Sequence, residues 1–322
     1  MKIVVTGGAG FIGSAVVWRL NELGIDDILI VDRMDKTDKW KNLVPLRFAD
    51  YMDAYDFIEE ADSFDDVDVI FHLGACSSTT ETDADHMIRN NFQYTQDLAE
   101  WAVERGIRFI YASSAATYGD GSAGMSDGFE HLATLRPLNI YGYSKHLFDQ
   151  WAAGNGMFDH IVGIKYFNVF GPNEDHKGDM RSLVNKAFGQ INSTGKLQLF
   201  KSASPDHADG EFGRDFVYVK DAVDMTLHFM ESRVGGLFNV GSGRTTTWNA
   251  LADAIFAALG RPTNVEFIEM PEHLRDRYQY YTLADLTRIR RAGYSADTTQ
   301  VGDAVTDYVN NYLVPDKHLG DA

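Results

Sequence analysis

Tyr141 and Lys145 stand four residues apart in the stretch PLNIYGYSK. On a helix that spacing stacks a phenol and an ammonium on one face, one turn apart. The chemistry open to such a pair is proton transfer. A phenol has a reference pKa of about 10, and an adjacent positive charge favours its phenolate. A bare Tyr-x-x-x-Lys is more often a surface helix with a solvated lysine, so the surrounding residues decide. YASSAATYG supplies hydroxyls at Ser113, Ser114 and Thr117, directly after an apolar strand-like run. Ser114 can hold the substrate oxygen from which Tyr141 takes a proton while hydride leaves for a cofactor.

A dinucleotide site would supply that cofactor. TGGAGFIG, with Gly7, Gly10 and Gly13, follows the first apolar run and opens a helical pattern. In that context glycines let backbone N–H groups approach a pyrophosphate at a helix N-terminus. Asp32 closes the second apolar run, about 20 residues further on, where an acid binds ribose hydroxyls. That placement favours NAD. Arg33 follows directly, however, and Lys36 and Lys39 lie in the next loop, where a cation holds a 2′-phosphate. NADP and NAD both stay open on these residues.

Elements must deliver these groups to one place. Apolar strands are expected at 2–6, 27–31, 47–53, 67–73, 108–112 and 161–167, alternating with helices over 12–23, 83–104 and 143–153. That alternation predicts an α/β fold, a Rossmann-type doubly wound parallel sheet covered on both faces. Ligands bind at the C-terminal edge of such a sheet. Beyond Phe167 the rhythm gives way to long polar stretches, a helix over 181–193 and strand-like pieces at 236–240 and 265–268. The expected division is therefore a dinucleotide-binding domain over 1–167 and a smaller substrate-binding lobe over 168–322, interleaved with the first.

The totals bound the partners. The chain has 322 residues, 44% hydrophobic and 24% charged, with a formal net charge of −18. That charge disfavours nucleic acid and anionic membranes. No apolar run approaches a membrane span, and MKIVVTGGAG lacks the features of a signal peptide. One cysteine, Cys76, excludes an internal disulfide and fits a reducing cytoplasm. No metal-binding cluster is expected.

TGGAGFIG, HLGA at 72–75, SSAATYG, the Tyr-x-x-x-Lys and YFNVFGP together resemble the extended short-chain dehydrogenase/reductase family of NAD(P)-dependent sugar epimerases and dehydratases. GACSSTTETD, RNNFQYT, YFNVFGPNEDHKGDM, RDFVYVKD and DRYQYYTLADL are similar to the branch that inverts carbon 6 of ADP-glycero-manno-heptose for the lipopolysaccharide core. The resemblance implies a homo-oligomer, with a pentamer among the candidates, and one NADP, or NAD, per subunit. It implies that Tyr141 and Lys177 are the two acid/base groups, with Lys145 and Ser114 in support. It also implies cofactor contacts from Gly7, Gly10, Phe11, Ile12, Gly13, Asp32, Arg33, Lys39, Asn90, Lys145, Val169 and Lys177, and from Leu73, Gly74, Ala75, Cys76 and Ser77. Substrate contacts are implied for Asn168, Asp179, Lys186, Phe200, Lys201, Ser202, Ala203, Arg214 and Tyr278. Arg214 has its own rationale, since a guanidinium grips a diphosphate bidentately.

The chain departs from that branch at several positions. Leu73 replaces a frequent acid, Ala54 a frequent lysine, Asp179 a serine and Lys186 a histidine, and the stretches 120–135 and 202–212 are longer. A dehydratase would need an acid pair where Ala115 and Ala116 stand. A UDP-sugar 4-epimerase needs the tyrosine but not Lys177, and is the runner-up. A non-catalytic NAD(P)-binding regulator would commonly lack Tyr141 or Lys145.

Overall fold

Short β-branched runs flanked by glycine turns build the centre of the protein. The computed structural model describes residues 1–202, 207–272 and 279–322. Seven parallel strands form the main sheet: β1 (Ile3–Thr6), β2 (Ile28–Asp32), β3 (Asp50–Asp53), β4 (Val69–His72), β5 (Arg108–Ser114), β6 (Val162–Tyr166) and β7 (Gly236–Val240). Their order across the sheet is β7-β6-β5-β4-β1-β2-β3. The chain reverses direction of travel between β1 and β4, where open α/β sheets carry their ligands.

Alternation within each strand builds two cores. Ile3 and Val5 pack into one apolar cluster and Val4 into the other, on the opposite face. Both faces are thus covered, and β1, β2, β4 and β6 are buried throughout. This is the doubly wound sheet expected from the alternation.

Four helices matter for the site. α1 (Phe11–Glu22) follows the glycine turn. α2 (84–104) is one continuous rod whose Ile88–Gln93 segment is π-helical, a widening often found at functional sites. α3 (Ile140–Gly154) begins three residues before the sequence pattern indicated, because Asn139 caps it, accepting from the Gly142 N–H at 2.8 Å. Tyr141 therefore sits in the first turn. α4 (Leu183–Thr194) is capped by Ser182.

The strand at 236–240, expected among the later pieces, joins the main sheet instead, in parallel register with β6 from Gly236↔Val162 to Val240↔Tyr166. Its residues are all buried, as a strand covered on both faces must be. The rest of the second half forms three small ladders, including Leu197–Phe200 paired with Val265–Ile268. Among the described residues no helix is long and apolar enough to cross a membrane.

Candidate active site

β5 ends at Ser114, where the chain turns into a short 3-10 segment, Ala115–Tyr118. The Ser114 hydroxyl caps that turn, accepting from the Ala116 N–H at 3.1 Å, and is hydrogen-bonded to the phenol of Tyr141. Burial pushes the Tyr141 phenol above its ordinary range, and the Ser114 hydrogen bond only partly offsets this. In the protein alone, burial thus disfavours the phenolate. Lys145 is 2% exposed, and burial lowers its ammonium to about 8, with Asp149 pulling the other way.

The glycine turn is closely fitted to its neighbours. Gly7 has φ +67°, and a Cβ there would fall 2.6 Å from the backbone nitrogen of Gly74. A Cβ on Gly13 would lie 2.0 Å from the Gly7 carbonyl oxygen. No side chain caps α1 and no acid stands in its first turn, so its N-terminus presents backbone donors to the cleft. This donor set suits a pyrophosphate.

Asp32 is held by three protein donors. Its carboxylate accepts from the Ala9 N–H at 2.9 Å, the Arg33 N–H at 2.7 Å and the Lys39 ammonium at 2.8 Å. Arg33 stacks over Tyr55, 4.9 Å from ring centre to guanidinium, and donates to its hydroxyl. Arg33 also pairs with Asp35 at 3.2 Å, so two cations and two acids meet at the adenosine end.

A cleft of about 460 Å³ joins these parts. It is lined by Gly7, Gly10, Phe11, Ile12 and Gly13, by Asp32 and Lys39, and by Leu73, Gly74, Ala75 and Ser77. Ser114, Tyr141, Lys145, Asn168, Val169 and Lys177 also line it. An adjoining cavity of about 230 Å³ holds Arg33, Cys76 and Asn90. Lys177 comes from the loop after β6 and lies over the Phe11 ring at 5.1 Å. Burial lowers its proton affinity, and Glu174 opposes that shift.

A third cavity, about 570 Å³, shares Asn168, Val169 and Met180 with the cleft. Asp179, Lys186, Phe200 and Arg214 line it. Arg214 stacks on Trp248 at 5.6 Å and donates through Nε to the Gln279 carbonyl at 2.9 Å. Lys201 and Ser202 lie outside this lining: Lys201 pairs with Glu269 at 2.7 Å, and the Ser202 N–H bonds Asp209. Ala203 and Tyr278 lie outside the described residues.

Several groups that shape the site carry no short-range signal. Asn91, fully buried in the π-helical segment, accepts from the Cys76 N–H and donates to the Cys76 carbonyl and to Ser144 on α3. It thereby ties the loop after β4 to the helix bearing Tyr141 and Lys145. In RNNFQYT the resemblance points to Asn90, whereas the buried, bridging residue is its neighbour Asn91. His72 bridges β1 and α2. Thr95 gives its hydroxyl proton to the Asn91 carbonyl, so Nε2–H of His72 donates to Thr95 while Nδ1 accepts from Thr6. Burial pushes His72 down to about 3.

Residues 3–241 match the NAD dependent epimerase/dehydratase family. The chain belongs to that family. A nicotinamide cofactor goes with membership, and the glycine turn with the uncapped helix fits one. A relative from Nitratidesulfovibrio vulgaris strain Hildenborough, named ADP-L-glycero-D-manno-heptose-6-epimerase, is 51% identical over 321 residues, 98% of this chain and 99% of the relative. The crystal structure of the Helicobacter pylori enzyme of the same name is 25% identical, with a TM-score of 0.81 over 96% of this chain and 95% of that one. A Thermotoga maritima UDP-glucose 4-epimerase superposes almost as well, at 25% identity and a TM-score of 0.80 over 98% of this chain and 100% of that one. Shape is thus shared across epimerases of different sugars, and the site residues must separate them.

Proposed function

We propose that this epimerase converts ADP-D-glycero-manno-heptose to ADP-L-glycero-manno-heptose, inverting carbon 6 through a transient aldehyde. The observation that carries the reading is that Tyr141 and Lys177, from different elements, line one cleft. When bound, the nicotinamide supplies a reversible acceptor for the hydride of carbon 6. Tyr141, oriented by Ser114, takes the proton of the 6-hydroxyl in one configuration. Rotation about the bond between carbons 5 and 6 turns the carbonyl oxygen away from Tyr141. Lys177, on the other side, then gives that oxygen its proton. The reverse reaction exchanges their roles. Lys145 biases Tyr141 toward the phenolate, and Arg214 with Lys186 binds the ADP diphosphate.

NADP is the cofactor on this reading. Lys39 neutralises Asp32, and Arg33 stands beside it, so the adenosine end tolerates a 2′-phosphate.

The test is turnover of a panel of nucleotide sugars. ADP-heptose should react, and UDP-glucose and UDP-galactose should not. Conversion of a UDP-hexose at carbon 4, without action on ADP-heptose, would replace this reading by the 4-epimerase one.

A further inference from the structure

The loop that carries Lys177 is closed at its neck by one buried acid. Glu174 is 0% exposed, yet its carboxylate binds groups at both ends of the loop. At the entry it accepts from the Gly171 N–H at 3.4 Å. At the exit it accepts from the Ser182 hydroxyl at 2.6 Å and the Ser182 N–H at 2.5 Å. Tyr308, from the C-terminal helix Val301–Tyr308, adds its phenol. The Glu174 carbonyl also accepts from the Lys177 N–H at 3.0 Å, setting the turn on which the lysine stands. One carboxylate thus joins the two ends of the 171–182 segment, which holds the short 3-10 helix Asp175–Met180.

We propose that Glu174 is the positioning residue of Lys177, tying the 171–182 loop at its neck and holding the ammonium at the cleft by its negative charge. This rests on the reading of Lys177 as one of two proton carriers. Desolvation alone would strip the proton from a buried lysine and add one to a buried carboxylate. Glu174 opposes the first effect, and its Ser182 donors oppose the second. The charge of Glu174 and the donors of Ser182 thus work against the effects of burial on Lys177 and Glu174. Beside Glu174, the titratable groups around Lys177 and its cleft are His176, held neutral by burial with a pKa of about 4, and Asp32, Lys39, Tyr141, Lys145 and Tyr166. Among these, Glu174 is the acid that raises the proton affinity of Lys177.

The test is single-turnover reduction of bound nicotinamide, followed by absorbance with each heptose epimer against pH. Neutral Lys177 accepts the proton of one epimer, so that epimer's rate climbs as pH rises through the lysine's pKa. Glu174→Gln keeps the shape but removes the charge. With the Lys177-dependent epimer it should slow the rate by about tenfold or more and move the rising limb about one pH unit to the acid side. The Tyr141-dependent epimer should keep both its rate and its limb. Glu174→Asp restores the charge and should return the limb to its place. Ser182→Ala, which removes one donor to Glu174, should move the limb in the same direction by less, and it serves if Glu174→Gln does not fold. Equal slowing of both epimers, or an unmoved limb in the folded variants, overturns the proposal. Lys177→Met is run alongside. If it affects only one epimer while the Glu174 and Ser182 variants do not, the role of Glu174 alone falls. If Lys177→Met affects both epimers equally, the two-carrier reading and this inference fall together.

Discussion

Asp149 lies one helical turn beyond Lys145 and grips Lys165 on β6 at 2.6 Å, with both side chains shut off from solvent. Its two oxygens also accept from Tyr111 at 2.7 Å and Ser113 at 2.8 Å, and Lys165 donates to Thr117 at 2.7 Å. The helix bearing Tyr141 and Lys145 is thus pinned to two strands by one satisfied ion pair. Ser113 and Thr117, the other two hydroxyls of YASSAATYG, serve this pair.

A buried pair broken on one side leaves an uncompensated charge, at a cost of about 3–5 kcal/mol. Asp149→Asn should lose stability on that scale in urea unfolding. The double change Asp149→Asn with Lys165→Met should recover most of it, because neither charge is then stranded. A single change within about 0.5 kcal/mol of wild type would show that losing Asp149 strands no buried charge.

How much of this was open to sequence reading follows from range. The glycines of the turn, Asp32, Ser114, Tyr141 and Lys145 are recognisable because local spacing fixes their relation to a strand end or a helix face. Asn91 and Ser144 meet across 53 positions, and Asp149 and Lys165 across 16, with no period to announce either contact. Glu174 sits in a polar loop that reads as solvated, and only the fold reveals that it is buried. The upward push of burial on the Tyr141 phenol is hidden for the same reason. Desolvation is a property of the packed helix, not of the four-residue spacing.

Tyr141→Phe keeps the ring and removes the phenol. The expected result is normal folding and cofactor content, with kcat reduced by about 100-fold or more, the scale of lost acid/base catalysis. Steady-state rates with ADP-heptose measure it. Activity within a few-fold of wild type would remove Tyr141 from the chemistry.

Cofactor choice is read from the nucleotide released on denaturation, identified by mass. NADP should be recovered. Arg33→Ala should weaken NADP by about tenfold while leaving NAD nearly unchanged, because NAD lacks the 2′-phosphate that a guanidinium would bind. Recovery of NAD alone, with equal affinities in the variant, would mean that Arg33 and Lys39 merely balance Asp32.

His72 makes stability depend on pH. Its folded pKa, about 3, lies below the ordinary histidine value of 6.5. Between those values the unfolded chain binds a proton that the folded protein refuses, so stability is complete above 6.5 and falls as pH drops toward 3. The slope from this residue is about 1.4 kcal/mol per pH unit. His72→Gln, whose amide can accept from Thr6 and donate to Thr95, should flatten the acid side of a thermal-stability profile. An unchanged slope would assign acid sensitivity to the carboxylates instead.

The account's central claim is that carbon 6 is inverted by removal and return of its own hydrogen, with Tyr141 and Lys177 handling only the proton on oxygen. The most direct test is reaction of ADP-D-glycero-manno-heptose in D₂O, with NMR of the product at carbon 6. The account predicts the L-glycero configuration with no solvent deuterium on carbon 6. Deuterium at carbon 6, or a product still wholly D-glycero, would contradict it.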